Sequence, residues 1–271
     1  MDLVAGPLRS ARPAPIALFS PFYLAGWTDR ERQFKTRRTI MFSNVVATRF
    51  MRATRPAAAS SGILIDGQPP AILDATDVEL KQAIGQWLSL HELMHGSGPA
   101  PFFAKWTGKS RLGKEYGVIE EMRVEMTSFV AAGLLDIHQG RIVQEMILME
   151  RLFRCARRGL GRRRRGEAVE LDDAHGLAWL GALSDVAIRA DSGKIRVDMA
   201  GVERTIGQVL ATVYAIEQEA ATADDAASVL SEHGRRLQSE LLPGARSATR
   251  LVVAIAALDH PDAISLEGVE A

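Results

Sequence analysis

His91-Glu92-Leu93-Met94-His95 sets two imidazoles four residues apart, with a carboxylate beside the first. On an α-helix, residues i and i+4 stand one turn apart on the same face, so both rings reach one metal ion. Glu92 then lies where it can take a proton from a metal-bound water. That is the arrangement of a zinc hydrolase with glutamate as general base. A catalytic zinc takes three protein ligands and keeps one position open, so a third donor is required. The run Glu120-Glu121-Met122-Arg123-Val124-Glu125 offers three carboxylates. Glu121 has Glu125 one turn later on its own face and Gly117 one turn earlier, where a small residue leaves room for a facing helix. Glu121 is therefore the expected ligand. Glu125 is the expected acceptor for the free N–H of a ligand histidine, and Glu120 serves in the same way or lies at the rim. A solvated acidic face is the plainer reading of such a cluster, and the paired histidines upstream argue against it.

Pattern and punctuation give the elements that must hold these residues. From Asp77 onward, Ala83, Ile84, Trp87, Leu88, His91, Leu93 and Met94 recur at helical spacing. Asp74 or Thr76 caps the start, with Glu79 in the first turns. Gly96-Ser97-Gly98-Pro99 stops the helix and puts the histidines at an opening rather than mid-core. A second helix runs from about Glu115 to Leu135 and a third from about Ile142 to Ala156. Arg157 to Gly166 reads as a basic, glycine-bearing loop. Residues 171–190, 199–221, 224–240 and 245–257 read as helices, and Lys194 to Asp198 as a strand. On the N-terminal side, Thr39 to Val46 and Gly62 to Ile65 read as short strands, residues 46–54 as helical, and residues 1–35 as an extended segment broken by proline and glycine.

HELMHGSGP followed by YGVIEEMRVEMTSF resembles the zinc site of the dipeptidyl peptidase III family of metallopeptidases, which carries an HExxGH or HExxH helix and then an EExxxE/D helix. The resemblance implies zinc held by His91, His95 and Glu121, with Glu92 as catalytic base. Asp173-Ala174-His175-Gly176-Leu177-Ala178 is similar to the family's AH-containing helix, which implies that His175 binds substrate or stabilises the oxyanion. Thr39 to Phe50 is similar to the segment preceding the family's zinc helix. The family's large N-terminal lobe, which forms the other wall of the cleft, has no counterpart here, and Tyr23 and Tyr116 match no family tyrosine. The expected protein is mainly α: an extended segment over 1–35, then a compact helical zinc-binding catalytic lobe over 36–271 with a few short N-terminal strands. The expected reaction is attack of metal-activated water on an amide carbonyl. One alternative is a zinc enzyme acting by hydrolysis, elimination or cyclisation on a small non-peptide metabolite, in secondary metabolism for example. Another is a non-catalytic metal-binding module.

Composition bounds the partners. Of 271 residues, 33 are Lys or Arg and 33 are Asp or Glu, so the formal net charge is zero and a global grip on nucleic acid or anionic lipid is not expected. Hydrophobic residues at 47% supply a core, which excludes disorder over most of the chain. The longest apolar run near the C-terminus, Leu251 to Leu258, is too short to span a bilayer. No signal-like segment opens the chain, and Cys155 is the sole cysteine, so a cytoplasmic setting is the default. The expected partner is a small peptide or small-molecule substrate, and a homo-oligomer supplying the missing wall is compatible with the sequence. The Arg151–Arg165 basic segment reads as a solvated loop or insertion, Cys155 as a buried small hydrophobe, and Trp87 as core. His138, His233 and His260 read as structural or exposed. Phe102, Phe103 and Trp106 read as a substrate wall or a cover for the core.

Overall fold

The computed structural model describes residues 2–5, 17–19, 38–41, 43–99, 113–135, 137–191, 193–241 and 250–258, and of residues 2–5, 17–19, 38–41, 43, 44, 113–116, 137, 138, 227 and 238 only the backbone. The protein is mainly α-helical with two small sheets. In the first, β3 (Arg38–Met41) pairs in parallel with β1 (Asp2–Ala5) and antiparallel with β2 (Ala17–Phe19). In the second, β6 (Lys194–Val197) pairs in parallel with β4 (Leu64–Ile65) and antiparallel with β5 (Ile188–Asp191). Among the described residues, no helix is long and apolar enough to cross a membrane.

The helices are α1 (Ser43–Arg49), α2 (Arg55–Ser60), α3 (Asp77–Met94), α4 (Gly113–Ala132), α5 (Ile137–Met149), α6 (Arg157–Arg164), α7 (Leu171–Leu183), α8 (Met199–Thr222), α9 (Ala226–Leu241) and α10 (Arg250–Ala257). Thr76 caps α3 through a reciprocal pair: its hydroxyl accepts from Glu79 N at 3.3 Å, and Thr76 N donates to Glu79 Oε2 at 2.9 Å. At the far end Gly98 adopts φ +100°, a conformation that side-chain-bearing residues rarely reach, so the chain turns away directly after the second histidine.

Among the described residues, two stretches widen to π-helical geometry. Phe50–Thr54 joins α1 to α2, and Glu150–Ala156 joins α5 to α6, each as a wider π-helical turn. Such turns shift the phase of the side chains that follow. In the second turn all seven residues are buried, Arg151 and Arg154 included. The basic segment is therefore not a solvated loop. It is helical through Arg164, and its inward arginines meet acids: Arg154 Nε donates to Glu150 Oε2 at 2.6 Å, and Arg162 Nε lies 3.0 Å from Asp173 Oδ2. The helix read over 171–190 ends at Leu183, and the chain returns as β5. The strand read over 39–46 ends at Met41, before α1.

The core gathers Phe129, Phe153 and Trp179, all fully buried, with Met122, Met126 and Met146 between the helices. Gly176 sets the approach of α7: a Cβ there would stand 2.4 Å from Cys155 Cβ and 2.5 Å from Ala156 N. Any side chain would push α7 off the π turn and separate His175 from Arg151. Gly117 makes room for Leu171 of α7, whose Cδ1 would lie 3.3 Å from an added Cβ, and not for α3 as the sequence suggested.

Candidate metal centre

α3 and α4 run antiparallel, because Trp87, His91 and His95 meet Glu125, Glu121 and Glu120 in descending order. The two imidazoles stand edge to face with ring centres 5.0 Å apart. His91 Nε2 lies 3.3 Å from Glu121 Oε2, and His95 Nε2 lies 3.8 Å from the same oxygen. The opposite nitrogens are engaged from behind: His91 Nδ1 is 2.9 Å from Glu125 Oε2, and His95 Nδ1 is 3.2 Å from Glu120 Oε1. His91, Glu92 and His95 each offer a ligand-type atom, all within 4.8 Å of one another. Glu92 is 8% exposed, at the inner edge of the group.

The donor set fits a divalent transition metal. Two imidazole nitrogens and a carboxylate oxygen are the ligands of many open zinc sites, and bonds of about 2.0 Å in tetrahedral geometry separate ligand atoms by about 3.3 Å. The separations of 3.3 and 3.8 Å around Glu121 are close to that. A carboxylate behind each ring fixes which nitrogen faces forward and raises its basicity. The electrostatics agree. Burial works against a charged His91, yet hydrogen bonds to Glu121 and Glu125 outweigh it and push the ring up to about 10. The pocket thus holds positive charge on an imidazole, where a metal would substitute for the proton.

Glu125 is fully buried and held on several sides. Trp87 Nε1 donates to Oε2 at 2.9 Å, and Arg151 Nε donates to Oε1 at 2.7 Å. Burial alone would raise this carboxyl; the charge of Arg151, with the hydrogen bond and charge of His91, brings it down to about 2. Glu120 follows the same logic: burial is outweighed by the hydrogen bond from His95 and the charge of Arg123, again to about 2. Both are firm anionic acceptors.

His175 is packed against Arg151. It is 1% exposed, its Nδ1 lies 3.2 Å from Arg151 Nη1, and its Nε2 accepts from Trp179 Nε1 at 2.9 Å. A neutral imidazole has one accepting nitrogen, so the ring satisfies only one of these two donors at a time. Burial, then the adjacent charge of Arg151, pushes it down to about 3, and it stays neutral at ordinary pH. Both ring nitrogens thus face donors, Arg151 and Trp179, and the ring accepts from one while packing against the other.

Sequence reasoning brought His91, Glu92, His95, Glu120, Glu121 and Glu125 to one place, and the structure does likewise. It missed Trp87, Arg123 and Arg151 as members of the same group. Trp87 lies four residues before His91 on the same face, which was a usable signal. Arg151 carried none, because its inward direction comes from the π turn. His233 pairs with Glu219 at 3.3 Å, away from the centre, and Cys155 is buried as expected. Tyr23, Phe102, Phe103, Trp106 and His260 lie outside the described residues, as do the side chains of Tyr116 and His138.

No family model and no curated protein sequence matches the chain. Among solved structures it is similar to dipeptidyl peptidase III from Caldithrix abyssi, with a TM-score of 0.55 and 16% identity over 90% of this chain and 42% of that one. It is also similar to dipeptidyl-peptidase III from Corallococcus sp. strain EGB, with a TM-score of 0.52 and 18% identity over 84% of this chain and 40% of that one. The likeness is one of fold, and the chain spans about two fifths of the length of these two enzymes.

Proposed function

We propose that this protein is a zinc-dependent hydrolase in which His91, His95 and Glu121 hold the metal and Glu92 is the general base. The observation that carries the reading is the convergence of both Nε2 atoms on Glu121 Oε2 while both Nδ1 atoms are secured by Glu125 and Glu120. A bound zinc supplies Lewis acidity toward a carbonyl oxygen and lowers the pKa of a water. Glu92 would be the base that takes a proton from the attacking water and returns it to the leaving amine. Glu125, fixed by Trp87 and Arg151, keeps His91 in the orientation that presents Nε2. Glu120 does the same for His95.

The fold similarity to two dipeptidyl peptidases III favours an amide of a short peptide as substrate. At 16 and 18% identity the likeness carries the fold alone, which admits a second reading, a small non-peptide substrate. Metal analysis of the purified protein, with a panel of dipeptidyl and aminoacyl arylamides, tests both. Near-stoichiometric zinc with cleavage supports the peptidase reading. Intact zinc without cleavage transfers support to the small-molecule reading. Purified protein that takes up no zinc overturns both.

A further inference from the structure

Beside the ligand set proposed above lies a buried guanidinium. Arg123 lies on α4 between Glu121 and Glu125, and its side chain is fully buried. Its Nη2 donates to Glu120 Oε1 at 3.0 Å and its Nε to Glu120 Oε2 at 3.3 Å. The same Nε lies 3.0 Å from Glu217 Oε1, on α8. Both Nη atoms donate to the Met94 carbonyl at 3.3 Å, and Nη1 donates to Ser97 Oγ at 3.1 Å. One side chain therefore joins three elements: the carboxylate behind His95, the last carbonyl of α3, and a buried acid of α8.

His95 needs such support more than His91 does. α3 ends at Met94, so His95 is the residue that caps it, whereas His91 lies within the last full turn. Helix ends fray, and their last carbonyls lack partners within the helix. A metal ligand at that position keeps its direction only if something outside the helix holds the terminus. Arginine suits the task, because its rigid fork reaches a carboxylate and a carbonyl together; lysine offers a single charged point.

We propose that Arg123 is a positioning residue for the metal centre, anchored by Glu217 on α8, and that it sets the direction of His95 by fixing both Glu120 and the end of α3. The inference rests on the reading of His95 as a metal ligand. It makes α8, which contributes no ligand in that reading, a determinant of metal affinity.

The test uses the full chain. Zinc affinity is measured by competition with a chromophoric chelator, and thermal midpoints are recorded with and without zinc. The variants are Arg123→Lys, Glu217→Gln, Glu120→Gln and the double variant Glu120→Gln/Arg123→Lys. Arg123→Lys is expected to weaken zinc binding on the order of tenfold, the usual scale for groups that orient metal ligands. Glu217→Gln, the milder change and the fallback should the first variant fail to fold, is expected to weaken it about threefold, below that scale because Glu217 acts only through Arg123. In the double variant the losses should fall short of their product, because Arg123 acts in part through Glu120. A purely structural Arg123 would lower both midpoints equally and leave zinc affinity at the wild-type value, and that result overturns the inference. Failure of the wild-type chain to bind zinc overturns the metal reading and this inference with it. Wild-type binding with unchanged affinity in Arg123→Lys and Glu217→Gln overturns this inference alone.

Discussion

Two buried ionic clusters lie side by side in this protein, and they are built for different ends. Beneath α1, Glu150 is enclosed by Arg49 at 3.0 Å, Arg154 at 2.6 Å and the Thr54 hydroxyl at 2.6 Å, and Arg154 continues to Asp172 at 3.4 Å. Its positive partners are guanidinia, which do not give up their protons at any ordinary pH. Between α3 and α4, Glu121 instead meets imidazoles, and the carboxylates behind those imidazoles are held by Arg151 and Arg123. Imidazoles exchange protons and bind metals. Arginine against carboxylate makes a permanent joint; histidine against carboxylate makes a place where one cation can replace another. The same contrast recurs within the second cluster, where arginines stand behind and histidines in front.

The sharpest test of this division is Glu92→Gln. It retains size and removes the basic oxygen, so turnover of any substrate cleaved by the wild type is expected to fall about a thousandfold, in the range typical of losing a general base. Zinc content and thermal midpoint should hold. Retained activity would remove Glu92 from its assigned role and leave the two clusters with no functional difference.

Glu150→Gln should do the opposite. Leaving Arg49 and Arg154 short of their shared carboxylate is expected to cost about 3 kcal/mol of stability, as for other broken buried pairs, with zinc affinity unchanged. Urea unfolding measures the first and chelator competition the second. The pH dependence sharpens the point. Burial raises the Glu150 carboxyl, but the charges of Arg49 and Arg154 and the Thr54 hydrogen bond outweigh it and take it down to about 2 from an ordinary 4.5. A depressed folded-state value means that the stabilisation is present above the unfolded value and is lost as protons bind. Wild-type stability should thus fall between pH 4.5 and 2, and the Glu150→Gln curve should be flatter there. Parallel curves would show that this cluster contributes nothing specific to acid tolerance.

Much of the metal-side cluster was legible in the sequence, and little of the arginine cluster was. HExxH and EExxxE mark their helices because i,i+4 spacing is a property of the α-helix itself. Glu121 was singled out among three acids from its neighbours Glu125 and Gly117, and the second ground does not hold, since Gly117 faces Leu171 of α7. Arg151, Arg154 and Glu150 could not be placed, since a π turn breaks the 3.6-residue period on which such reading depends and turns adjacent charged residues inward together. A run such as Arg157-Arg158-Gly159-Leu160-Gly161 reads as loop by composition, yet it is α6, held by acids of the α7 region, Glu170 and Asp173. Glu217 lies nearly a hundred residues beyond its partner Arg123, and only tertiary packing joins the two.

Glu125→Gln probes where the two kinds of cation meet, since this carboxylate accepts from Arg151 and faces His91 at once. Zinc binding should weaken by about 10- to 100-fold. An amide retains one accepting oxygen, so the variant serves either Arg151 or His91 but not both. Wild-type zinc affinity in this variant would show that His91 needs no carboxylate behind it.

The smallest expected effect comes from Trp87→Phe. The indole ring is buried, lies under the Arg151 guanidinium at 5.6 Å, and donates its single N–H to Glu125 Oε2, the oxygen that also faces His91 Nδ1. Phenylalanine keeps most of the apolar bulk and a face for the guanidinium, and it deletes the donor. A neutral hydrogen bond to a charged acceptor is worth about 1.5–3 kcal/mol when lost outright. Glu125 keeps Arg151 and His91, so only part of that should appear, as a weakening of zinc binding of about threefold with a slightly lowered thermal midpoint. The comparison gains a direction from this variant. If Trp87→Phe weakens zinc binding while Glu150→Gln does not, metal affinity follows the chain of donors ending at His91 Nδ1. If the two variants shift stability alike and leave zinc untouched, Trp87 belongs with the arginine joint and Glu125 is held by Arg151 alone.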